Sequence, residues 1–329
     1  MQFIKRLTLL LLFATCAFGG WLVWFANRPL PVSEPVDFTI PFGVGLRVVS
    51  RQMADIGLGF APWQFTLLVR VMGKSTEIKA GSYEVGSGIT PLVLLSKLTR
   101  GDVTQGEVLF VEGMNFRQLR VAIDSNPDLR HDTAGLSDGE LLARVGATER
   151  HPEGLFFPDT YLFAKKSSDV DVLKRAYRTM RQQLDGEWQQ RSAGLPLKTP
   201  YEALILASII EKETGRAADR PLIAAVFLNR LRNGMLLQTD PTVIYGIGPR
   251  FNGNLRRRDL QIDTPYNTYV RPGLPPTPIA LPGLAALHAA LHPARNDKLY
   301  FVARGDGSSE FSRSLDEHNR AVARYQRGK

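Results

Sequence analysis

From Leu7 to Phe25 the chain is apolar without a single charged residue, and Lys5 and Arg6 stand immediately before it. At about 1.5 Å per residue such a run reaches roughly 28 Å as a helix, enough to cross a bilayer once. Trp21 and Trp24 fall at its far end, where interfacial aromatics belong, and the basic residues before it predict a cytoplasmic N-terminus. A cleaved signal peptide is the competing reading. Its apolar region is shorter, about 7–15 residues, and ends at a small-residue cleavage site, whereas this run ends in Trp-Leu-Val-Trp-Phe. The expected layout is a tail over 1–6, a transmembrane helix over 7–26 and, with Pro29, Pro31 and Pro35, an extended tether over 27–37.

Beyond the tether the apolar periodicity alternates between strand and helix. Phe38 to Gly43 reads as a strand and turn, and Leu46, Val49, Met53 and Ile56 follow at helical spacing. A second helix is expected over 63–71, a strand at Gly81–Val85, and a helix from Pro91 to about Arg100. Val108 to Val111 then leads through Gly113 into Phe116 and Leu119. Gly43 and Gly113 occupy matching places, as do Arg47 and Arg117, so this is either an internal repeat or two instances of a common strand-turn-helix unit. A domain boundary near residue 105 is expected. Later helices are predicted over 172–191, 201–214 and 221–233, with Gly234 as the stop, and Gly305-Asp-Gly307 reads as a hairpin turn. The fold class is α+β, and about 300 residues after the anchor suffice for two cores.

The formal charge of +9 suits an acidic partner. On the outer face of a membrane that means anionic lipid heads or the carboxylates of a wall polymer, and the predicted topology argues against nucleic acid. Cys16 is the only cysteine and lies mid-helix, which excludes an intramolecular disulfide. There is no HExxH, CxxC, GxSxG or phosphate-cradling loop. His288 and His292 form an i, i+4 pair, for which capping or packing is expected rather than a metal, and no cofactor is called for.

The strongest chemical signal is Ala207-Ser-Ile-Ile-Glu-Lys-Glu-Thr-Gly215, where a carboxylate ends an almost wholly apolar helix. Glu211 shares a face with Leu204, Ala207 and Ser208, the last two small enough to leave room beside it. An acid emerging among apolar side chains is desolvated, which favours its protonated form and suits a general acid. An ordinary surface acid near a helix end is the alternative, and Glu213 fits it better than Glu211. Gln238, Thr239, Asp240, Thr242, Tyr245 and Asn267 follow in tracts suited either to turns or to hydrogen-bonding sugar hydroxyls and acetamido groups.

Several long blocks together resemble the endolytic murein transglycosylase (YceG-like) family. They are ASIIEKETG, VFLNRLRNGMLLQTDPTVIYG, YNTYVRPGLPPTPI, HPA, LYFVARGDGSSEF with EHN after it, and EGLFFPDTYLF from Glu153. The resemblance covers nearly the whole chain, with a departure around Arg313 and Ser314. It implies a single-pass inner-membrane protein with its soluble part in the periplasm, facing peptidoglycan. It implies a LysM-like glycan-binding module over 38–105, a catalytic domain over 106–329, and Glu211 as the catalytic residue. Asn229, Arg230, Gln238, Asp240, Tyr245 and Asn267 also match the pattern, and with Ser208 all but Arg230 are the substrate-binding candidates.

In this reading one glutamate suffices, donating a proton to the glycosidic oxygen and then taking one from the C6 hydroxyl of N-acetylmuramic acid, which closes a 1,6-anhydro ring. The expected partners are peptidoglycan glycan strands and the synthases of the elongation or division machinery. Two other readings stand beside it: a hydrolase with Asp240, Glu213 or Asp159 as second carboxylate, and a non-catalytic wall-binding scaffold.

Overall fold

The computed structural model describes residues 2–326, which fall into two compact units divided after residue 106, with residues 162–167 returning to the first. The first unit begins with α1 (Gln2–Asn27), long and apolar enough over Ile4–Asn27 to cross a membrane. The far end of α1 belongs to this unit's core. Phe25 is fully buried and meets Phe60 edge-on at 6.1 Å, while Trp21 stacks on Trp63 at 5.4 Å.

Residues 27–37, expected to be a tether, are instead packed. Leu30 and Val32 are buried in the same core, and Leu30 N donates to Ile89 O at 2.8 Å. The prolines do impose an extended path, but the apolar residues between them have more to gain from the core than from water.

The rest of this unit is β1 (Val36–Ile40), α2 (Leu46–Asp55), α3 (Pro62–Val71), β2 (Gly81–Val85) and α4 (Pro91–Arg100). β1 and β2 pair antiparallel with Phe38 opposite Tyr83, and those rings stack at 5.7 Å. α4 starts at the expected Pro91; Thr90 before it accepts from Val93 N, and Gly101 closes the helix at φ +77°.

β3 (Gln105–Leu109) and β4 (Thr160–Ala164) form a two-stranded sheet. β3 starts three residues before the expected Val108. Its inward positions are Gly106 and Val108, and the glycine carries no apolar signal. Gly113, at φ +77°, makes the turn into α5 (Phe116–Asp124) as Gly43, at φ +81°, does into α2. α6 (Asp138–Val145) follows.

The second unit is built around α8 (Pro200–Glu213), against which α7 (Asp169–Gln189), α9 (Arg220–Arg232), α10 (Asp240–Ile247) and α11 (Leu284–Leu291) all pack. Every residue of α8 from Ala203 to Ile210 is buried, the mark of a helix surrounded by protein. α10 has no counterpart in the sequence reading. Its Thr-Asp-Pro start and its glycines at 246 and 248 look like turn chemistry, and over eight residues too few apolar positions remain to show a period. β5 (Tyr300–Ala303) and β6 (Ser309–Ser312) form the hairpin around 305–307, and α12 (Leu315–Tyr325) packs on it.

Candidate active site

Glu211 sits in the last turn of α8, and burial of the preceding helix leaves its side chain only 6% exposed. One carboxylate oxygen accepts from the backbone N–H of Gly283, just before α11, at 3.0 Å. The other lies 3.4 Å from a guanidinium nitrogen of Arg220, the first residue of α9, whose side chain is 12% exposed. A six-residue loop, 214–219, separates the two helices and brings that cation back to the carboxylate.

Burial raises the Glu211 carboxyl above its ordinary value; Glu112 pushes the same way, while Gly283 N–H, Arg220 and Lys212 pull against it. Glu112 is close because residue 283 is glycine: a Cβ there would collide with the Glu112 carboxylate. The turn carrying Glu112 is pinned by Gly113 N donating to Leu281 O at 2.9 Å, Leu281 N to Met114 O at 2.7 Å, and Lys212 Nζ to Gly113 O at 3.1 Å. Two carboxylates, two cations and one backbone N–H therefore converge at the end of α8.

Lys212 and Gly113 also line one part of a groove of about 860 Å³. Other walls come from α5 (Phe116, Arg117), α10 (Ile244, Tyr245), Tyr266 and Glu153. Glu153 is 2% exposed; both of its oxygens accept from Phe116 N, and Tyr245 Oη donates to one of them at 2.9 Å. Burial raises this carboxyl from 4.5 to about 7, with the Tyr245 and backbone hydrogen bonds opposing. Tyr245 meets Tyr266 edge-on at 4.8 Å, and Tyr266 is hydrogen-bonded to Thr277.

The remaining residues singled out from the sequence are spread more widely. Asp240 opens α10, is exposed, and accepts from Tyr269 Oη at 2.5 Å. Gln238 is exposed at φ +50°, with its N–H on Thr268 O. Asn267 is fully buried, its amide donating to the carbonyls of Leu260 and Ile262 and its oxygen accepting from Tyr269 N, which ties the 259–269 loop together. Asn229 donates to Asn296 O and Lys298 O and lines a separate cavity beside Arg232 and Pro293. Glu213 accepts from Thr239 Oγ1, and burial raises its carboxyl to about 7. Arg230, buried against Tyr300, donates to Leu299 O and Leu237 O.

Residues 38–324 match the YceG-like family. The chain belongs to that family. Its relatives include an endolytic murein transglycosylase of Bacillus subtilis, 31% identical over 93% of this chain and 90% of that protein. Endolytic murein transglycosylases of Streptococcus pneumoniae are 28% identical over 96% of the chain, which spans 63% of their length. A crystal structure of a YceG-like protein from Listeria monocytogenes aligns with a TM-score of 0.54 at 29% identity, covering 87% of this chain and 98% of that one.

Three residues of this candidate site escaped the sequence reading: Glu112, Glu153 and Arg220. Glu153 carried a weak signal, an acid one glycine before an apolar Leu-Phe-Phe run, whereas Glu211 was marked by following one. Glu112 and Arg220 carried none, since each is an ordinary charged residue in a turn or at a helix start.

Ser208 is fully buried; its hydroxyl donates to Ile205 O at 2.7 Å and accepts from Ile279 N at 3.0 Å. It thereby fixes the 277–283 strap whose last residue holds Glu211. Ser208→Ala is expected to destabilise the fold by about 1–3 kcal/mol, because the Ile279 N–H is left buried without an acceptor. Thermal unfolding of the full chain in detergent checks this, and an unchanged midpoint would contradict it.

Proposed function

We propose that this YceG-like chain is a lytic transglycosylase that cleaves the β-1,4 bond between N-acetylmuramic acid and N-acetylglucosamine within peptidoglycan glycan strands. The observation that carries the reading is the buried Glu211 carboxyl, displaced toward its protonated form and fixed by Gly283 N–H and Arg220, with its neighbour Lys212 lining a groove of about 860 Å³. The likeness of nearly the whole chain to endolytic murein transglycosylases supplies the substrate class.

In this mechanism protonated Glu211 gives its proton to the bridging oxygen, and the N-acetylglucosamine side departs as an alcohol. Positive charge develops at C1 of the muramic ring. The C6 hydroxyl of the same sugar attacks C1 and surrenders its proton to the Glu211 carboxylate, so the 1,6-anhydro ring closes without water and the acid is regenerated. Arg220 and Gly283 N–H stabilise Glu211 while it is ionised between the two proton transfers. Among the described residues the buried Arg220 Nε–H has no acceptor. Tyr245 and Tyr266 supply aromatic faces for sugar rings, and Gln238, Asp240 and Asn267 supply or position polar groups nearby.

The β1-α2-α3-β2 unit over 38–105 supports a LysM-like glycan-binding role, and α1 supports a single-pass inner-membrane anchor with a cytoplasmic N-terminus and periplasmic soluble domains. Action on nascent strands beside membrane-bound synthases follows from that placement.

A hydrolase remains the second reading, favoured by one observation: Glu112 stands close enough to raise the Glu211 carboxyl and could activate a water. Mass spectrometry of sugar products, after incubating the full chain in detergent with purified peptidoglycan, separates the two. The expected products are 1,6-anhydromuramyl ends, lighter by one water than reducing ends. Reducing ends alone would replace this proposal with hydrolysis, and intact glycan in the presence of folded protein would favour a scaffold.

A further inference from the structure

The His288 and His292 pair, for which the sequence gives only spacing, acquires a third member in the fold. Glu187, in the last turn of α7, reaches α11 so that one of its oxygens lies 2.9 Å from His288 Nδ1 and 3.4 Å from His292 Nε2. The two imidazoles stack at 4.3 Å between centroids with planes 23° apart, so both present an edge nitrogen toward the same carboxylate. All three ligand atoms lie within 4.8 Å of one another. The nearby cation Arg191 is turned away, its guanidinium over Trp188 at 4.0 Å and donating to Trp188 O.

From this geometry we propose that Glu187, His288 and His292 form a binding site for one divalent late first-row metal ion of the Zn²⁺ type. Separations of 2.9 and 3.4 Å between donor atoms are close to the edge of a tetrahedron with bond lengths of about 2.0–2.2 Å. Two imidazoles and one carboxylate select Zn²⁺, Ni²⁺ or Co²⁺ over Mg²⁺ and Ca²⁺, which favour all-oxygen sets. His288 is exposed, which leaves the remaining coordination position to water and gives the ion a route in.

A second group of the same general kind, Asp124, His131 and Asp169, does not qualify. Arg120 lies 3.8 Å from Asp124 and donates to Thr133 O, while Thr133 itself donates to Asp169, so a guanidinium already serves that cluster.

The location gives the site a role distinct from chemistry. It joins the end of α7 to the end of α11, and α11 begins next to Gly283, whose N–H holds Glu211. An ion here staples the helix that positions the catalytic acid, about 12 Å from that N–H by helix length.

The test is calorimetric titration of the full chain, in detergent and free of any polyhistidine tag, with ZnCl2 and in parallel with MgCl2. Zn²⁺ should bind, and Glu187→Gln and His288→Ala should each weaken one equivalent by more than about tenfold, while Mg²⁺ does not bind there. At a hundredfold excess over Kd the Zn²⁺ should raise the unfolding midpoint of the unaltered chain by about 5–10 °C, and that rise should vanish in both variants. Equal midpoints in metal-free buffer establish that the variants fold, and if one of them does not, the other decides. No Zn²⁺ binding at 100 Kd expected for a micromolar site, or binding and stabilisation unchanged in a folded variant, would overturn the proposal.

Discussion

Glu211→Gln will leave a folded protein that binds glycan and does not cut it, with turnover down by about 10²–10⁴-fold or more. The amide keeps an oxygen to accept from Gly283 N–H and matches the volume of the acid, so the fold is retained, while its NH2 replaces the oxygen facing Arg220 and that guanidinium must shift locally. What disappears is the transferable proton and the carboxylate that must take one back. Because burial raises this carboxyl, the protonated form persists to higher pH than for a free glutamate. Cleavage should therefore fall on the alkaline side as that proton is lost, while glycan binding stays level. Kinetics of anhydro-end formation against pH, with a pull-down on isolated peptidoglycan, measures both. A variant that still cleaves at a tenth of the normal rate would move the acid to another residue, with Glu112 and Glu153 first in line.

The second large effect concerns stability. Glu153 has a folded value of about 7 against 4.5 for the free acid, so between those limits the native state holds a proton that the unfolded chain releases. The sign follows from linkage. With more protons on the native state, stability is fully present below about 4.5 and is lost as pH rises through about 7. A difference of this size amounts to about 3 kcal/mol for a group so thoroughly buried.

Glu153→Gln mimics the protonated acid. It retains an oxygen for Phe116 N–H and Tyr245 Oη and has no charge to expose. The variant should match the unaltered chain near pH 5 and become the more stable of the two near pH 8. Unfolding midpoints of both proteins, taken in detergent across that range, give the answer. Parallel curves at all pH values would show that Glu153 is ionised in the native state and that its hydrogen bonds outweigh its burial.

Much of this fold is legible along the chain, for identifiable reasons. α4 announces itself with Pro91, and α9 with Pro221 and Gly234, because capping chemistry is local. α8 shows as an apolar run longer than a strand, ending in charge. α10 does not show, since its limits are written in the same residues that make turns.

Glu211 was visible because its burial is inherited from the helix carrying it. Its surroundings were not, because Arg220, Gly283 and Glu112 reach it from three separate segments, and only the packing of α8 against α9 and α11 brings these together. The polar tracts divide similarly. Tyr245 faces the groove, whereas Asn267 spends its amide on its own loop, and residue type alone cannot distinguish a side chain offered to a ligand from one already engaged by the backbone.

The burial of Phe25 bears on how the protein can be cut. A truncation that begins at residue 28, the obvious way to make a water-soluble version, removes more than an anchor. It deletes the ring that fills the space beside Phe60 and the Trp21 face that covers Trp63, while Leu30 and Val32 stay behind as a loosened edge. A shortened chain retaining residues 21–27, with polar replacements only at outward positions such as Val23 and Trp24, keeps that plug in place and is the better starting point for crystallisation or assay in plain buffer.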